Sequence, residues 1–199
     1  LGDTFDIHGG GPDLKFPHHE NEIAQSEAAT GCTFARYWMH AGAVRVNEEK
    51  MSKSLGNFVT LDQLFDAFHP EVIRFSLLQS HYRSAISFSD DALIQAETAY
   101  SRLVQALPDE LTAPSSDAIF EFQKFMDDDF NTPLAFAEMF KYANLLKKKK
   151  PRMCSEDLQE DILRGMGEVL GLLNNYSEKD DLQREIMIEK LSAEEIEQI

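Results

Sequence analysis

Two short stretches of the chain carry residue types that do chemistry. The first is Lys50-Met51-Ser52-Lys53-Ser54, followed by Leu55-Gly56-Asn57. Two ammonium groups flanked by two hydroxyls on one loop can close over a polyphosphate and meet the charge that develops as pyrophosphate leaves. Read on spacing alone, the same residues also suit a plain solvated basic loop. The second stretch runs from Asp6 through His8-Gly9-Gly10-Gly11-Pro12-Asp13 to Pro17-His18-His19-Glu20-Asn21-Glu22. An i, i+4 spacing puts the His18 imidazole and the Glu22 carboxylate on one helical face, where they form either an exposed ion pair or two ligands of one Zn²⁺. A tetrahedral zinc needs one or two ligands more, and no candidate downstream is close in sequence. His8 and Asp13 bracket the glycines, and a histidine in that position more often serves as a structural hydrogen-bonder than as a ligand. His19, Glu20 and His40 take the plain structural reading, and so does Trp38, between Tyr37 and Met39, as a core residue.

The elements that must hold these residues follow from periodicity and punctuation. Thr4 to Ile7 read as a short strand, and Gly9 to Pro12 as a loop in which backbone comes close to something. Pro17 suits a first helical position, with a helix from His18 to Ala29 that stops before Thr30-Gly31. Val44 and Val46 suggest a strand and a turn leading into the lysine loop. From Leu61 the pattern is helical: Leu64, Phe65 and Phe68 share one face, then Val72, Phe75 and Leu78 continue the period. Ser89 caps a helix from Asp90 to Leu107, with Asp90 and Asp91 favouring its dipole. Thr132-Pro133 starts another helix, striped by Phe136, Phe140, Ala143 and Leu146 and ended at Pro151, and a further one covers Ser155 to Leu173. That second stripe pairs with Leu163, Met166, Leu170 and Leu173. The fold class is therefore α/β followed by all-α, with a boundary in the Pro/Ser/Thr/Asp cluster of residues 108–117.

Composition bounds the partners. The 199 residues are 43% hydrophobic and 27% charged, a globular balance that excludes collagen-like and disordered chains. A net charge of -16, spread as -3, -5 and -8 over residues 1–60, 61–115 and 116–199, excludes a protein that coats nucleic acid through a uniformly basic surface. Lys147 to Lys150 are the one local basic run. Successive helical residues stand about 100° apart, so these ammonium groups splay around an axis, and at a helix C-terminus they also suit the dipole. Asp127 to Asp129 could bind a metal or cap a helix start. Cys32 and Cys154 form no C-x-x-C pair, which argues for a reducing, cytoplasmic compartment. No apolar run approaches a membrane span. The chain has no initiator Met and stops at Ile199 without a cap, and it is expected to be part of something longer.

The runs HGGGPDLKFPHHENEIAQSE, YWMHAGAVRVNEEKMSKSLGNF, HYRSAISFSDDAL and MDDDFNTPLAF closely resemble the bacterial cysteinyl-tRNA synthetases, and the likeness is continuous over residues 1 to about 175. The resemblance implies that residues 1–60 are the last part of a nucleotide-binding, Rossmann-like catalytic domain with its KMSKS loop. Residues 61–116 become a helical connecting segment, and 117–199 part of a helical bundle of anticodon-binding type. It implies catalytic Lys50 and Lys53, ATP contacts at Lys53, Gly9, Gly11 and Asp13, and substrate contacts at His8 and Asp13. It implies one Zn²⁺ held by His18 and Glu22 with two cysteines that precede this segment, neither of them Cys32 or Cys154, and Mg²⁺ accompanying ATP. For Asp127 to Asp129 it implies a helix-start cap instead of a metal site. The partners would be tRNA(Cys), ATP and L-cysteine, with no membrane and a monomeric chain. The implied activity is activation of cysteine to cysteinyl-adenylate and transfer to tRNA, with the segment alone inactive. A related ligase that couples cysteine to an amino sugar, and a noncatalytic RNA-binding module, are the rival readings.

Overall fold

The computed structural model describes residues 2–46, 49–50, 60–107, 119–147 and 156–174. Met51 to Ser54, the expected boundary at 108–117, Lys148 to Lys150, Cys154 and everything after residue 174 lie outside the described residues. Contacts group the chain into two units, Leu1–Phe58 with Ser80–Ser89, and Val59–Gln79 with Asp90–Ile199.

In the first unit, β1 (Phe5–Gly10) pairs in parallel with β2 (Ala35–His40), setting His8 opposite Trp38 and Gly10 opposite His40. Gly9 and Gly10, expected in a loop, are strand residues. A Cβ on Gly10 would stand 3.0 Å from Leu14 and 3.1 Å from the His19 ring, so only glycine lets the strand run on beneath the turn that follows. That turn is a 3₁₀ turn at Pro12–Leu14 and then a π-turn at Lys15–His19. Pro17 lies inside the π-turn after a cis peptide bond, not at a helix start, and α1 begins at Glu20 and runs to Thr30. Gly31 closes it at φ 71°, the left-handed cap expected of that residue. β3 (Val44–Val46) pairs antiparallel with β4 (Glu49–Lys50), so Lys50 belongs to a strand rather than a loop. β5 (Ile86–Phe88) joins β3 in parallel, an element the helical reading of that region did not anticipate.

The second unit is helical. α2 (Leu61–Ala67) opens on a reciprocal cap between Thr60 and Gln63, and α3 (Pro70–Leu78) on Pro70 with the His69 ring accepting from the Glu71 N–H. Next come α4 (Asp90–Val104), α5 (Phe120–Asp127), α6 (Thr132–Lys147) and α7 (Glu156–Leu170). α3 packs on α4, α5 on α6, and α6 on α7. The expected stripes meet there: Phe136 and Ala143 are buried, as are Leu163, Met166, Leu170 and Leu173. Phe75 joins them, edge-on to Phe136 at 4.7 Å. Asp127 and Asp128 end α5 instead of starting a helix, and the Asn131 side chain accepts from the Leu134 N–H at 3.4 Å.

One polar cluster sits inside this core. The Glu71 carboxylate accepts from the Tyr100 hydroxyl, from the Leu173 N–H at 3.0 Å and from the Asn174 N–H at 3.2 Å. One turn along α3, Arg74 donates to the carbonyl of Leu170. Leu173 and Asn174 follow α7 through a left-handed Gly171, so α3 engages the carbonyl at the helix end with a cation and the N–H groups beyond it with an anion. Among the described residues, no helix is long and apolar enough to cross a membrane.

Candidate functional site

Strand parity and one turn of helix assemble the site. His8, Trp38 and His40 share a face of the β1–β2 pair, and the π-turn with the first turn of α1 brings His18, His19 and Glu22 to it. The His8 Nε2 donates to Glu22 Oε2 at 2.9 Å, because an ionised carboxylate can only accept. The other carboxylate oxygen, Oε1, stands 3.5 Å from His18 Nε2. His19, only 3% exposed, shares a hydrogen bond of 3.0 Å between its Nδ1 and His40 Nε2. Trp38 stacks on His40 at 8° between planes and meets the edge of His8 at 4.8 Å. Lys15, His19, Glu20, Ile23, Trp38 and His40 line a pocket of about 210 Å³.

His18 and Glu22 are thus adjacent, as their spacing predicts. His8 is joined to Glu22, while the Asp13 carboxylate lies over the backbone at Gly11, where a Cβ would collide with its Oδ1. Lys50 ends β4, and Lys53 lies outside the described residues. The plain structural reading passed over His19, His40 and Trp38, all of which belong to the cluster. The alternation of Trp38 and His40 with Tyr37 and Met39 held the signal, since it places both rings on the face that His8 occupies in β1.

Two metal arrangements are open to these groups. His8, His19 and Glu22 have ligand atoms within 4.8 Å of one another. However, bonds of 2.0–2.1 Å at a tetrahedral angle set two zinc ligands about 3.4 Å apart. The 3.5 Å between His18 and Glu22 Oε1 fits that edge and is long for a hydrogen bond, whereas the 2.9 Å between His8 and Oε2 is a hydrogen bond. His19 bonds His40 through Nδ1, which leaves its Nε2 as the atom it could offer a metal. The His18–Glu22 ion pair thus also matches one edge of a zinc tetrahedron, and the His18 ring, 59% exposed, leaves that side open to further ligands.

His40 is held below the ordinary imidazole value of 6.5, first by burial and then by the positive charges of Lys15, His19, Arg83 and His8. In a window below pH 6.5 the unfolded chain then binds the proton that folded His40 refuses, so this residue's contribution to stability is lost as pH falls through the window. An NMR titration of His40 is expected to show a midpoint below 6.5; a midpoint above it would mean a carboxylate, not the cationic neighbours, governs the ring.

Comparison with known proteins matches this geometry to a class. Residues 1–98 match the family described as tRNA synthetases class I (C) catalytic domain, and residues 121–174 match the DALR domain. Solved structures at low identity share the fold. A LeuRS–tRNA–LeuAMS complex from Agrobacterium radiobacter K84 aligns with TM-score 0.58 and 18% identity over 83% of this chain and 25% of that one. Mycobacterium tuberculosis methionyl-tRNA synthetase bound by methionyl-adenylate aligns at 0.54 and 19%, over 83% of this chain and 39% of that one. The fold is the one these class I aminoacyl-tRNA synthetases share. The cysteine–tRNA ligase of Hahella chejuensis is 55% identical over 87% of this chain and 39% of its own length, and that of Marinobacter nauticus 48% identical over 97% and 44%. The chain belongs to the cysteine–tRNA ligase family, and it spans about two fifths of the length of these relatives.

Proposed function

We propose that the protein to which this chain belongs is a cysteine–tRNA ligase, which activates L-cysteine with ATP to cysteinyl-adenylate and transfers it to tRNA(Cys). The observation that carries the reading is the pairing of His18 Nε2 with Glu22 Oε1 at the edge length of a zinc tetrahedron. It occurs in a chain 55% identical to a protein named for that reaction. Bound by His18, Glu22 and two thiolates from outside this segment, zinc supplies a soft partner for a substrate thiolate that the hydroxyl of serine does not match. Packing alone discriminates poorly between such similar side chains, worth a few kcal/mol at most. The chain's own residues then bind and orient. His18 and Glu22 fix the amino-acid end, Gly9 to Gly11 let backbone approach the adenylate, and Asp13 offers a polar contact to its ribose. Lys50 and Lys53 neutralise the phosphates, with Mg²⁺ accompanying ATP.

Residues 1–60 serve as the end of the catalytic domain, 61–116 as the connecting segment and 117–199 as a bundle facing tRNA, in a monomer of the cytoplasm. The test is cysteine-dependent ATP–pyrophosphate exchange by the full-length protein, together with charging of tRNA. Exchange without charging would point to a ligase with another acceptor, such as an amino sugar, and no exchange would reduce the protein to a binding module.

The tRNA part carries its own prediction. The helical region is acidic, so attraction to phosphate rests on Lys147 to Lys150 and Arg152 working against the surrounding charge. Neutralising the four lysines in the full-length protein is expected to weaken tRNA binding at low salt and to flatten its salt dependence, as measured across a salt series. Unchanged slopes would assign the run to its helix end alone.

A further inference from the structure

The two oxygens of Glu22 have different neighbours. Oε1 faces His18 Nε2 at 3.5 Å, and Oε2 receives a hydrogen bond of 2.9 Å from His8 Nε2, fourteen residues earlier on β1. A free carboxylate can turn about its last bond and offer either oxygen, or both, to a metal. Occupying Oε2 leaves Oε1 as the single donor, so that Glu22 would take one position on the metal and not two. His8 is itself fixed before any metal arrives. Its ring lies 5.6 Å from Phe5, 5.3 Å from Phe34, 4.8 Å from Trp38 and 5.0 Å from His19, all between ring centroids, and β1 holds its backbone against β2. Such an outer hydrogen bond both orients a ligand and tunes its charge.

We propose that His8 is a positioning residue for the zinc site: it holds Glu22 through Oε2 so that Oε1 and His18 present one edge of the metal's tetrahedron. The inference rests on the proposed ligand role of His18 and Glu22, and deepens it by giving His8 a task other than contact with substrate. It also separates His8 from the ligand set, although its Nε2 lies close enough to Glu22 and His19 to suggest a three-ligand cluster.

The test is zinc affinity of the full-length protein by competition with a chromogenic chelator, with no reference to activity. His8→Phe keeps a ring among Phe5, Phe34 and Trp38 but removes the donor; zinc binding is expected to weaken about 10- to 100-fold, the usual effect of losing an outer partner. His8→Gln retains an N–H donor at a similar reach and is expected to restore affinity to near that of the unaltered protein. His18→Ala is the control for the underlying reading, expected to lose zinc far more severely. If His18→Ala leaves zinc unaffected, the ligand assignment fails and the inference with it. If His18→Ala loses zinc while folded His8→Phe binds it normally, only the inference fails. If His8→Gln loses the metal as completely as His18→Ala, His8 is a ligand and the positioning role is overturned.

Discussion

In the full-length protein, Lys53→Ala is expected to slow adenylate formation by about 10²- to 10³-fold, or about 2.7–4 kcal/mol of transition-state stabilisation, by analogy with the loss of one preorganised donor to a developing oxyanion. Cysteine affinity should change little. Charge accumulates on the leaving pyrophosphate only as the bond to the α-phosphorus breaks, so an ammonium group placed to meet it acts mostly at that moment. Lys53 follows β4 by three residues, and β4 is fixed by its antiparallel pairing with β3. Single-turnover measurement of adenylate formation at saturating cysteine checks this. A normal rate constant with weakened cysteine binding would make Lys53 a substrate clamp and move the phosphate role to Lys50.

The second large effect is on stability. Glu71→Ala removes the acceptor for the Tyr100 hydroxyl and for the N–H groups of Leu173 and Asn174, in a place where Tyr100 is fully buried. Each donor left without a partner costs about 1–3 kcal/mol, although the Leu173 N–H keeps a 2.8 Å bond to the Tyr100 oxygen. A total loss of about 3 kcal/mol is expected, which for a chain of this size lowers the melting temperature of the helical unit by roughly 6–12 °C. Tyr100→Phe should cost only about 1 kcal/mol, because both N–H groups keep the carboxylate. Thermal unfolding followed by circular dichroism distinguishes the two. Equal effects would show that the hydroxyl, not the carboxylate, organises the cluster.

Much of this architecture is legible in the residues themselves. The stripes of α3, α6 and α7 are read from spacing because a buried helix face must repeat at 3.6 residues, and Gly31 announces the end of α1 because a left-handed residue is needed there. The adjacency of His18 and Glu22 follows in the same way from one helical turn. What escapes is whatever depends on pairing across distance. His8 reaches Glu22 through a strand, a 3₁₀ turn and a π-turn, and no local periodicity encodes that path. β5 has three residues between helices and earns its strand geometry only from β3, some forty positions earlier. The close approach expected at the glycines is there, at Gly10 beneath His19, but Gly9 and Gly10 reach it as strand residues, because only the pairing with β2 makes them a strand. Nothing near Glu71 in sequence marks its role, since its partners Leu173 and Asn174 lie a hundred residues away.

The placement of β5 bears on how the chain can be divided. The strand lies at residues 86–88, between α3 and α4 of the helical unit, yet it completes the sheet built on β3. The chain therefore passes from one unit to the other after Phe58, again after Gln79 and again after Ser89. No single cut yields both units whole: a piece ending at residue 60 exposes one edge of β3, and one starting there carries an orphan strand. Dissection of this protein by truncation would report the damage of the cut rather than the properties of the parts. A circularly permuted or internally linked design, with residues 80–89 supplied to the first unit and a short bridge from Gln79 to Asp90 in the second, is the form in which each can be studied alone.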